Sequence, residues 1–146
     1  MGISVKRLVR DRLVDDAAIR GFLSVTTTAS APVAPVFMEQ TAIYPRIIYS
    51  EIYGPTDPGI SGTNGVITFG IYSRAGSGIN PHVTSENISE RIDQLFDDQV
   101  ITGLAISGTS VYAPLFLREG GTDLAFDPNR RDYTRFLTYS YKLLKY

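Results

Sequence analysis

The sequence has no cysteine, almost no histidine and almost no charge surplus. Without Cys, disulfides, thiol nucleophiles and thiolate metal sites are all excluded. Lys and Arg number 14 against 15 Asp and Glu, for a net charge of −1. That balance offers no bulk attraction for nucleic acid or an anionic membrane. No stretch approaches the roughly 18 apolar residues of a membrane span. The opening "MGISVKRLVRDRLVDD" carries charges every few residues and no apolar core run, unlike a signal peptide. What is present fits a packed protein: 146 residues, 43% of them apolar, enough for one domain with a real core. Arg makes up 11 of the 14 basic residues, and Arg suits planar, bidentate pairing with carboxylates at protein interfaces.

Residues 4–14 read as a helix, because Val5, Leu8, Val9 and Leu13 form one apolar stripe and Ser4 can cap it. A short second turn follows in "DDAAIRGFL", with Asp15 or Asp16 as cap and Gly21 as stop. Residues 24–45 hold Pro32, Pro35 and Pro45 and read as an extended arm. "RIIYSEIY" (46–53) and "GVITFGIYSR" (65–74) read as strands joined by a long polar loop, 54–64. In "VTSENISERIDQLFDDQ", Thr84 or Ser85 is the expected cap, and Ile88, Ile92, Leu95 and Phe96 the buried stripe. "SVYAPLFLRE" (110–119) alternates as a strand, with Pro114 pointing to an edge or a bulge. "GGTDLAFDPNRRD" reads as a long turn before a final alternating strand, "RDYTRFLTYSYKLLKY". The expected fold is therefore α+β: a two-layer sandwich of mostly antiparallel sheet with two helices packed on one face, in a single domain spanning 1–146.

Chemistry is harder to find. The sole histidine, His82, lacks the nucleophile-elbow glycines and the oriented carboxylate that a Ser-His-Asp triad needs. The pairs Asp15-Asp16 and Asp97-Asp98 read as capping and solvated helix ends, not as flanks of a sugar-sized cleft. "DPNRRD" sets Asp127, Asn129 and Asp132 in one loop, but without the glycine and closing Glu of a calcium loop, and Arg130 and Arg131 would intrude on a cation. "GISGTNG" has no phosphate-loop lysine. The expectation is no catalytic residue, no cofactor and no metal. Nine Tyr and seven Phe could stack single-stranded nucleic acid, but without a basic surplus they point instead to sheet faces and subunit contacts.

The order of elements resembles the tail-terminator, or tail-completion, proteins of long-tailed bacteriophages. It runs from the helix "VKRLVRDRLVDDAAIRGFL" through "YPRIIYSEI", "GVITFGIYSR", "SENISERIDQLF" and "SVYAPLFLRE" to the closing "RDYTRFLTYSYKLL". The resemblance implies a non-enzymatic virion protein of the neck, assembled in the host cytoplasm. Such a protein forms a ring, usually a hexamer, that caps the tail tube and meets the head connector. It implies the tail-tube protein and the connector as partners, with no membrane and no specific DNA contact, although DNA may pass through the ring. The longer connectors leave a neighbouring head–tail connector or adaptor protein as an alternative; a small hydrolase or ligand-binding module is a more distant one.

A ring would also explain the aromatic last strand, whose edge a neighbouring subunit can cover. The expected interface residues are Asp57 and Ile60 in the 54–64 loop, Arg130 and Arg131 in the last turn, and Tyr133, Arg135, Tyr139 and Tyr141 on the final strand.

Overall fold

The computed structural model describes residues 5–27, 31–35, 44–53, 64–76, 80–101, 104–105 and 111–145. Among these residues three helices are formed: α1 (Val5–Val14), α2 (Ala17–Phe22) and α3 (Pro81–Phe96). Eight strands of the described residues join one sheet: β1 (Val33–Ala34), β2 (Arg46–Tyr53), β3 (Asn64–Ser73), β4 (Gln99–Val100), β5 (Leu104–Ala105), β6 (Val111–Gly121), β7 (Ala125–Asp127) and β8 (Asp132–Lys145). The sheet order is β1-β2-β3-β8-β6-β4, antiparallel throughout except for the β1–β2 pair. The fold is α+β. The 54–64 loop lies almost wholly outside the described residues, as do Asp57, Ile60 and half of the 24–45 arm.

The C-terminal strand corrects an expectation. β8 is not an edge awaiting a neighbour but the middle of the sheet. Along one side it pairs with β3, from Tyr133↔Ser73 to Lys142↔Asn64. Along the other it pairs with β6 over Leu137–Lys145 and with β7 over Asp132–Thr134. Its backbone groups are thus taken up within the chain, which removes the aggregation risk of a long aromatic edge. Pro114 lies in β6 between the segments bordered by β5 and β4, a gap that tolerates its missing N–H, and its carbonyl accepts from Ile101. The register of β6 against β8 slips between Arg118 and Gly120.

Alternation decides the two faces. Ile67, Phe69 and Ile71 of β3 and Leu137, Tyr139 and Tyr141 of β8 are buried beneath the helical layer. The apolar stripes meet them: Leu8, Val9 and Leu13 of α1 and Ile88, Ile92, Leu95 and Phe96 of α3 all belong to one core. Phe96 anchors it, with ring centroids 5.1 Å from Phe69, 5.3 Å from Phe116 and 6.2 Å from Tyr139. α3 lies over β3, β6 and β8, while α1 and α2 pack against it and α1 against β1.

Two helix signals and one turn differ from expectation. Asn80, not Thr84 or Ser85, caps α3, accepting from the N–H groups of His82 and Val83, with Pro81 in the first turn. Gly21 lies inside α2 and does not end it. The stop is Ser24, in the left-handed region at φ 59°, with Ser24 N–H donating to Gly21 O and Val25 N–H to Arg20 O, the paired bonds of a Schellman ending. The long turn after β6 contains a strand, β7, which forms a hairpin with β8.

Candidate functional site

The β7–β8 hairpin turns through Pro128–Arg131. Asp127 Oδ1 accepts from the N–H groups of Asn129 and Arg130, a local cap that sets the turn. Arg131 closes it with φ 55°, a left-handed conformation strained for a residue with a Cβ. The turn directs the Arg130 side chain back over the sheet. Its guanidinium meets Asp127 and Asp132, both at 3.0 Å. The carboxylates and arginine of "DPNRRD" therefore satisfy one another, and Asp132, wholly buried, is held by Arg130 and by the Tyr44 hydroxyl at 3.0 Å.

Around this anchor, cations and rings alternate. Arg74 lies over the Tyr44 ring at 4.0 Å, and Arg46 over the same ring at 4.7 Å. Arg46 also faces the Tyr72 ring at 5.2 Å, and Arg130 reaches that ring at 5.4 Å. The order is Arg74, Tyr44, Arg46, Tyr72, Arg130. Each contact pairs a guanidinium with the negative face of an aromatic ring. Hydrogen bonds tie the stack together, from Arg46 Nη2 to Tyr44 Oη at 3.2 Å and from Arg74 Nη2 to the Arg130 carbonyl at 2.7 Å. Burial pushes the Tyr44 phenol above its usual pKa, and donation to Asp132 pushes the same way. Burial likewise raises Tyr72. Both rings therefore stay neutral.

Tyr44, Arg46, Arg74 and Arg130 of the stack form one wall of a cavity of about 560 Å³. Tyr44, Arg46 and Arg74 line it from β2 and its approach and from the end of β3; Phe126, Asn129, Arg130, Arg131 and Tyr133 line it from the hairpin, and Ala75 completes it.

At the level of fold, the chain has a counterpart. It is similar over 96% of its length to 94% of a chain in a solved structure titled "Virion of native gene transfer agent (GTA) particle", with a TM-score of 0.57 and 14% sequence identity. No protein-family model matches the sequence, and no curated protein does.

Of the residues singled out in the sequence, the fold brings Arg130, Arg131 and Tyr133 together at this cavity. Of the other expected interface residues, Asp57 and Ile60 lie outside the described residues, and the rest lie away from the cavity. Tyr139 and Tyr141 are core residues of the chain itself, 0% and 3% exposed, because β8 is central and α3 covers that face. They are not available for a subunit contact. Arg135 shares their face, its Nε buried away from the cavity. His82 stands exposed in the first turn of α3 with its ring 5.5 Å from that of Tyr133. Among the described residues, no group of three or more His, Asp or Glu could hold a metal ion. The residues missed were Tyr44, Arg46, Tyr72 and Arg74. The only sequence signal for them was Arg at the outer end of each of two strands, in "YPRII" and "YSRAG".

Proposed function

We propose that this chain is a structural, non-enzymatic protein of a phage-type virion. It would work at the neck as a ring, most simply of six copies, that caps the tail tube and meets the head connector. The observation that carries the reading is the nearly full-length likeness in fold to a chain of a gene transfer agent virion. The order of elements along the sequence supports the same placement.

Ring formation needs a contact between unlike surfaces that closes by rotation. The sheet offers one at its outer edge: β1 borders β2 only at Ile47 and Ile48, and among the described residues no strand pairs beyond them on the side of β2 away from β3. Ile52, 68% exposed, lies on that stretch. A neighbouring copy pairing there would cover both the open backbone groups and this side chain.

The test is deletion of the gene in a producing cell, followed by electron microscopy. A terminator's loss yields tails of uncontrolled length beside separate heads. Tails of normal length that fail to join would assign the protein to the adjacent connector instead. Intact, joined particles would refute both, as would a single copy per assembled particle. In the same assay, the exposed His82→Ala variant should join heads and tails normally; failure with folding intact would revive an enzymatic role.

A further inference from the structure

The sheet has a second open margin, and it matches the first. β6 pairs with β5 and β4 only as far as Phe116, and among the described residues no strand pairs with 117–121 on the side away from β8. On their inner side these residues pair with 137–140 of β8. The open stretch of β2, residues 49–53, stands level through β3 with 137–141 of β8. The two margins therefore lie at one height on opposite sides of the same sheet. Their side chains correspond as well. Ile52, Val66, Ser140 and Leu117 form one cross-strand row on the face away from the helices. Both ends of that row are exposed, Ile52 by 68% and Leu117 by 45%. The adjacent row, on the helical face, runs Glu51, Ile67, Tyr139, Arg118 and ends in opposite charges. Both Glu51 carboxylate oxygens are buried without a hydrogen-bond partner, a costly state that a cation relieves.

We propose that the β2 margin of one copy pairs with the β6 margin of the next. The inference rests on the ring reading and names the surface that meets β2. A rotation about an axis parallel to the strands moves nothing along them, so it sets Ile52 beside Leu117 and Glu51 beside Arg118. β2 and β6 run in opposite directions, three antiparallel pairings apart, so the new pair is antiparallel like those within the chain. The backbone phase agrees. Ile47 N–H points away from β3, to the Pro32 carbonyl, so by alternation Tyr49 and Glu51 also point outward. On β6 the Pro114 carbonyl points to Ile101 and Arg118 N–H to Asp97, both away from β8. Glu51 and Arg118 thus meet as a hydrogen-bonding pair, with Arg118 N–H exchanging Asp97 for the neighbour, and Ile52 and Leu117 as the closer, non-bonding pair. Arg118 meets Asp93 through Nη1, and a guanidinium has further donors for a second carboxylate. A two-fold pairing of β2 with itself is disfavoured, because 49–53 is centred on Glu51 and would oppose two like charges.

The chain has no cysteine, so engineered disulfides report the contact without background. Full-length Ile52→Cys and Leu117→Cys chains, produced together, should form a mixed disulfide in assembled particles and in concentrated protein. The double variant should give a ladder of cross-linked copies that ends in a closed ring. Within one chain the two positions lie three strand spacings of about 4.8 Å apart, beyond the roughly 7 Å reach of a disulfide, so every cross-link joins two copies. Paired instead with Val83→Cys, at an exposed position of α3, the Ile52→Cys chain should lose the cross-link. Three results would overturn the proposal: no mixed disulfide in either sample, Ile52→Cys chains linking mainly to one another, or equal linking to Val83→Cys. Absence of the mixed disulfide from particles that need the gene would refute the edge pairing and leave the neck reading standing. A cross-linked ring from a chain whose deletion leaves particles intact would refute the neck reading alone.

Discussion

Single residues show how closely the two sheet faces are specified. Gly65 faces Tyr141 across the β3–β8 pair, and a Cβ at Gly65 would come within 2.4 Å of the Tyr141 ring. The glycine is thus the seat on which a buried tyrosine lies. That ring is itself packed 5.6 Å from Phe116 and cannot swing away freely. Gly65→Ala should destabilise the fold by about 1–3 kcal/mol, the usual cost of overpacking a core. Urea denaturation would measure it, and an unchanged midpoint would mean that the Tyr141 ring gives way easily. Tyr139 makes a second point. Burial, reinforced by its hydrogen bond to Asp93, raises its phenol pKa far above the usual value, so the hydroxyl remains a donor. Its bond to Asp93 stitches β8 to α3. Tyr139→Phe should cost about 1–2 kcal/mol, as loss of a bond to a charged acceptor does. A loss too small to measure would mean that Arg118, paired with Asp93 at 2.8 Å, satisfies the carboxylate without help.

Among the elements, the α2 N-terminus connects the small helices to the large one. Asp16 accepts from Ile19 N–H as the cap of α2, and its other oxygen meets Arg91 of α3 at 2.6 Å. The Arg91 guanidinium holds this carboxyl below its ordinary value of 3.8, against the opposing effect of burial, and the Ile19 bond adds to the lowering. A depressed folded value means that stability is present above 3.8 and is lost as pH falls through the folded value. Asp16→Asn should keep the cap and abolish that acid-side dependence. Asp16→Ala should lose both, at about 1–2 kcal/mol. If acid melting curves of wild type and Asp16→Asn coincide, the ion pair contributes nothing to the fold. In α3 itself, Leu95→Ala should cost about 2–5 kcal/mol, since Leu95 packs in the core. A cost below about 0.5 kcal/mol would fit only a surface position.

For the whole molecule, the central place of β8 has the largest consequence. This strand bridges β3 on one side to β6 and β7 on the other. Without it, the two halves of the sheet have no ladder between them among the described residues. A chain ended after Phe136 should therefore fail to fold, rather than lose a terminal decoration. Circular dichroism would decide this; a cooperative melt in the shortened chain would contradict the central role of β8. The same topology moves the question of assembly. With β8 enclosed, any contact between copies must use other surfaces, and among the described residues the outer side of β2 beyond Ile48 is one that has no strand partner.

Periodicity by itself determined the elements. The i, i+3, i+4 stripes of α1 and α3 and the period-2 runs of β2, β3, β6 and β8 are local properties, set by which side chains must leave water. Their α+β arrangement follows from the sequence, and "DPNRRD" was already marked as crowded by its own arginines. Helix boundaries were less legible. Asn80-Pro81 reads as a breaker until its place at the first turn of α3 turns it into a start, and Ser24 does the work usually given to glycine. Tertiary structure alone decided the rest. Alternation says which side chains share a face but not which strand lies beside it, so "RDYTRFLTYSYKLLKY" carries no sign that it sits between β3 and β6. The Arg–Tyr stack draws on Tyr44, Arg46, Tyr72, Arg74 and Arg130. Those residues come from three separate stretches, and only the antiparallel register, which brings the start of β2, the end of β3 and the start of β8 to one end of the sheet, makes them neighbours.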